Sequence, residues 1–77
     1  MIAKKGMLVE MDGGHRLIVD DVKVINGNEY IVFYALENQR FYIATEYMDG
    51  DNPSYNFLHG DEAKRVAEAI DAIDHNM

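Results

Sequence analysis

Asn26-Gly27 separates two runs rich in β-branched and aromatic side chains, Arg16 to Ile25 and Glu29 to Leu36. Asn-Gly readily supplies the two positive φ angles of a type I′ turn. That turn joins antiparallel strands because its twist matches theirs. The pair therefore predicts a tight hairpin and rules against a helix through this stretch.

The remaining elements follow from this hairpin. Met7 to Met11 reads as a first strand, closed by Asp12-Gly13-Gly14, a turn signal in which glycine adopts positive φ cheaply. In the second strand Leu17 and Val19 share one parity, Val22 and Val24 the other, and Asp20-Asp21 lies between. A β-bulge there would bring all four to one face; without it, Ile18, Val22 and Val24 share a face with Asp20. The third strand is apolar on both parities, so both of its faces call for cover. After the polar turn Glu37-Asn38-Gln39, Arg40 to Tyr47 forms a fourth strand. Met48 to Ser54 reads as the longest loop and contains Pro53, the one proline. Tyr55 to Leu58 suits a short edge strand.

Asp61 is placed to cap a helix running from about Glu62 to Asp74, with Glu62 adding negative charge near its positive end. Ala63, Val66, Ala67, Ile70 and Ile73 form one apolar stripe, and Asp61–Arg65 and Lys64–Glu68 are i,i+4 pairs on the wet side. His75-Asn76-Met77 is expected to fray. The fold class is α+β: an antiparallel β-meander of four to five strands with one C-terminal helix packed on one face. No repeat or linker interrupts it, so residues 1–77 form a single domain.

A chain of 77 residues supports one core, with a net contribution of about 3–5 kcal/mol. With no Cys, disulfides and thiolate metal sites are excluded. The N-terminus has no apolar run of signal-peptide length after Lys4 and Lys5, and no segment reaches the roughly 18 apolar residues of a membrane span. The expected location is cytoplasmic, with no membrane partner.

Net charge is −7 and is uneven. Residues 1–36 carry four basic groups against five acids; residues 37–77 carry three against nine. The second half should repel phosphate backbones. Its acidity serves solubility or offers a surface to a basic partner.

Catalytic patterns are sparse. Ser54 follows Pro53 in a predicted loop and Thr45 lies mid-strand, so neither reads as an activated nucleophile. Asp20-Asp21 points to opposite faces unless a bulge intervenes. His15, His59 and His75 lack a spacing that would bring two together as metal ligands. Asp49-Gly50-Asp51-Asn52 matches the start of a calcium-binding EF-hand loop, but Pro53 follows and Gly60 stands where the bidentate Glu belongs. Gly13-Gly14 precedes a strand, not a helix, and makes no phosphate cradle. No catalytic, cofactor-binding or metal-ligating residues are assigned, and the chain reads as a non-enzyme without a cofactor.

Tyr30, Phe33, Tyr34, Phe41, Tyr42, Tyr47 and Tyr55 all fall on predicted strands, where exposed rings can stack single-stranded bases. In its order of elements, strands followed by a helix, the chain resembles dimeric single-strand-binding folds of the Pur-repeat type. The resemblance covers only that order, and no motif matches residue by residue. Such folds imply a basic groove, whereas only Arg16, Lys23 and Arg40 are available on the strands. Nucleic acid is therefore not the expected partner. One helix covers one sheet face, and Ile31, Phe33, Tyr42 and Ala44 line the other as the candidate interaction surface. The expected function is that of a small acidic interaction or regulatory module, homodimeric and acting by protein binding. The alternatives are an acidic nucleic-acid mimic of the phage-inhibitor type and a single-stranded nucleic-acid-binding domain.

Overall fold

The computed structural model describes residues 2–75. Five antiparallel strands form one sheet in sequential order: β1 (Leu8–Glu10), β2 (Arg16–Ile25), β3 (Asn28–Ala35), β4 (Arg40–Asp49) and β5 (Asn52–Phe57). Helix α1 (Gly60–His75) follows. The fold is the expected α+β meander. Asn26 and Gly27 have φ of 52° and 79°, the two positive angles of a type I′ turn, and Ile25 pairs with Asn28.

The bulge in β2 is present. Val19 pairs with Phe33 and Asp21 with Val32, so Asp20 has no partner across the strand pair. The extra residue corrects the phase. Leu17, Val19 and Val22 then share a face with Ala35, Phe33 and Ile31. Val22 N–H, next to the bulge, donates to Asp21 Oδ1 at 2.9 Å.

Met48 to Ser54 forms a tight turn, not the expected loop. Asp49 pairs with Asn52, and Gly50, at φ 63°, holds the first position of the two-residue turn. Glycine there is the signature of a type II′ hairpin. Pro53 sits inside β5, an edge strand, where a missing N–H costs no ladder bond.

The sheet curls, and its inner face holds the core: Leu17, Val19, Ile31, Phe33, Ala35 and Ala44, with Ala3 from the N-terminal segment. Val19, Ile31, Phe33 and Ala44 are fully buried. The N-terminal segment closes one end of the curl. Gly6 N–H donates to the Val19 carbonyl at 2.8 Å, Val19 N–H to the Met7 carbonyl at 2.9 Å, and Ile2 N–H to Glu46 Oε2 at 2.9 Å.

The helix lies on the outer face. Lys23 pairs with Tyr30, on the face opposite Ile31, and its Nζ reaches Asp74 Oδ1 at 2.6 Å. Ala63, Val66 and Ala69 are half-buried and Ile70 is buried. Two residues of the expected stripe depart from it: Ala67 is exposed, and Ile73 keeps 40% of its surface. Ala67 lies about 90° round the helix from the middle of the packed arc. Asp61 and Glu62 occupy the first turn, because the helix starts earlier than expected, at Gly60. The pairs Asp61–Arg65 and Lys64–Glu68 are not among the ion pairs of the described residues. His75 is helical, and the expected fraying of Asn76 and Met77 lies outside the described residues. No helix among the described residues is long and apolar enough to cross a membrane.

Candidate functional site

Among the described residues both edges of the sheet stay unjoined, since β1 pairs only with β2 and β5 only with β4. A groove of about 580 Å³ opens between them into the uncovered end of the curl. Met11 and His15, flanking the β1–β2 turn, form one lip, and Tyr55, Phe57 and His59 form the other. Leu17, Ala35 and Tyr42 lie between them, with Glu37 and Asn38 at the β3–β4 turn.

Alternation along the strands builds this apolar lining. Phe57 pairs with Ala44 and Tyr55 with Glu46, so both rings point to the inner face. Phe33 anchors them. Its ring meets Tyr55 edge-on at a centroid distance of 5.1 Å and lies 5.7 Å from Phe57. Tyr42 stands edge-on to Phe57 at 6.3 Å. Edge-to-face rings at these separations attract beyond their buried area, which adds to the cohesion of the wall.

Polar contacts hold the mouth. Asn38 Nδ2 donates to Tyr42 Oη at 2.8 Å. Arg16 donates to Glu37 from its backbone N–H and from Nε, at 3.2–3.3 Å. The Arg16 N–H bond is the main cause holding the Glu37 carboxyl below its ordinary pKa, against the opposing effect of burial. The Tyr55 phenol is raised above its ordinary pKa, first by burial, then by the charge of Glu46 and a contact to it. Tyr55 Oη and Glu46 Oε1 are both buried, and among the described residues neither has a partner in full hydrogen-bond geometry. The Glu46 side chain is anchored through its other oxygen, by Ile2 N–H.

Of the four residues assigned from sequence to an interaction surface, Ile31, Phe33 and Ala44 are fully buried. Tyr42 alone reaches the surface, in the groove. Curling of the sheet and the N-terminal segment cover the face away from the helix, which is why these three side chains are buried. The groove instead gathers Met11, Tyr55 and Phe57 with His15 and His59, two histidines that spacing alone did not connect. No group of three His, Cys, Asp or Glu side chains that could hold a metal ion occurs among the described residues. Apolar contact at the centre and hydrogen bonding at the rim are what this arrangement offers a ligand.

No family model matches the chain, and no curated protein or solved structure is significantly similar to it.

Proposed function

We propose that this chain is a non-enzymatic protein-binding module and that the groove between β1 and β5 is its binding site. The carrying observation is the pre-formed aromatic wall, Tyr42, Tyr55 and Phe57, standing open beside an unpaired strand edge. Concave, mostly apolar sites with a few polar groups at the rim are where proteins take ligands. Self-association loses the support drawn from Ile31, Phe33 and Ala44, because these side chains are spent on the chain's own core. The nucleic-acid-mimic reading asks for carboxylates clustered on one exposed face. The acids of α1 are interleaved with Lys64 and Arg65, and Asp74 is engaged by Lys23.

Site-specific photo-crosslinking in the native cell tests this reading. A crosslinker at Met11 or His59 should give the same discrete protein adduct, and one at Glu68, on the exposed side of α1, should not. Equal labelling from all three positions, or none from the groove, would contradict it.

A further inference from the structure

The register fixes which way the backbone of β5 points. Leu58 N–H donates to the Ile43 carbonyl at 2.8 Å. Antiparallel partners alternate between pairs that exchange hydrogen bonds and pairs that do not. Counting back along the register from Ile43–Leu58, Asn56 and Ser54 bond to β4, while Tyr55 and Phe57 turn their N–H and C=O groups away from the sheet. Pro53 falls in the same outward set. The far side of β5 therefore presents two donors and their carbonyl acceptors, and among the described residues no strand of the sheet lies beyond it.

The residues with free backbone also supply the groove's side chains. Tyr55 and Phe57 aim their rings into the groove and their peptide groups along its lip. A chain lying beside β5 would satisfy those peptide groups, and every second side chain would drop into the apolar space next to the two rings. Charge narrows the occupant further. The six residues of β5 carry no charge. Asp49 and Asp51 precede it, Asp61 and Glu62 follow it, and all four carboxylates are exposed. The β1 edge is a poorer template, being three residues long and carrying Glu10.

Resting on the reading that the groove binds protein, we propose that its occupant is an extended segment of a partner protein that joins β5 as a sixth strand. Alternate apolar side chains of that segment fill the groove, and Lys or Arg residues at its two ends meet the flanking carboxylates.

The test is selection of a phage-displayed random decapeptide library on the full chain, followed by synthesis of the enriched peptide. The expected consensus alternates apolar and polar residues between basic ends. The peptide should slow hydrogen exchange at the Tyr55 and Phe57 amides. N-methylation of its β5-facing nitrogens should weaken binding about tenfold for each net hydrogen bond lost. The double variant Asp49→Asn, Asp51→Asn should bind it severalfold more weakly, with less dependence on salt. A peptide that shifts Met11, Tyr42 and His59 resonances but tolerates N-methylation would overturn strand addition while leaving the groove reading intact. No enrichment, or peptides that bind on the helix, would overturn both.

Discussion

Lys23 Nζ stands 2.6 Å from Asp74 Oδ1 and 3.1 Å from Asp21 Oδ2, so one ammonium ties the last turn of α1 to the strand just beyond the β2 bulge. The two carboxylates raise the Lys23 pKa above its ordinary 10.5, chiefly through the Asp74 hydrogen bond. For Asp21, burial pushes the pKa up, but the hydrogen bonds from Lys23 and Val22 N–H outweigh it and leave a net lowering from 3.8.

These directions give a pH profile. A depressed carboxyl contributes stability that is present above its unfolded pKa and lost as pH falls through its folded one. Asp21 and Glu37 should therefore weaken the fold only in acid, below their ordinary 3.8 and 4.5. Lys23 contributes below 10.5 and ceases to as pH rises through its higher folded value. Carboxyl-carbon NMR titration should find both acid midpoints depressed, and Lys23→Met should return that of Asp21 upward. An unmoved Asp21 midpoint would show that Lys23 does not pair with Asp21 beside the bulge. The stability change itself should be small, because these charges face water.

The helix contributes through few residues. Ile70→Ala should cost about 2–5 kcal/mol by removing a buried branched side chain. Ala67→Ser should change stability by no more than about 0.5 kcal/mol, because an exposed surface site is altered. Urea midpoints check both. A costly Ala67→Ser would show that the stripe read from periodicity, not the observed arc, faces the sheet.

Phe33 joins the core to the groove wall. Phe33→Ala should cost about 3–5 kcal/mol, comparable to the whole net stability of a domain this small, so the variant should be largely unfolded by circular dichroism. Tyr42→Leu keeps apolar volume while releasing Asn38, and should stay folded. A folded Phe33→Ala would place the core elsewhere.

Gly27 tests the turn. A Cβ there would meet no atom within 4 Å, yet φ is +79°. Gly27→Ala should therefore lose about 1–2 kcal/mol through backbone strain alone. No loss in the denaturation midpoint would mean that the turn is not of the type that Asn26-Gly27 demands.

The hairpin and the strand order were legible because each depends on local signals, Asn26-Gly27 and short polar turns, while the parity change across Asp20-Asp21 marked the place of the bulge but left a regular strand as the other reading. The tight turn at Gly50 was obscured by Pro53, which reads as a strand breaker until β5 is known to be an edge. The site was not legible. Apolar residues on both parities of β3 and β4 show that both faces are covered, but not by what. That depends on curling, which brings Met11 and His15 across from Phe57 and His59 over more than 40 positions of sequence. The same curling buries Ile31, Phe33 and Ala44, which period-2 patterning alone leaves free to face a partner.

The open β5 edge is the claim on which the binding account rests, and amide hydrogen exchange of the free protein measures it directly. Ser54 and Asn56, bonded to β4, should exchange slowly, while Tyr55 and Phe57, turned outward, should exchange near the rate of an unstructured chain. Protection at all four amides would mean that the edge is already occupied, and would contradict the account.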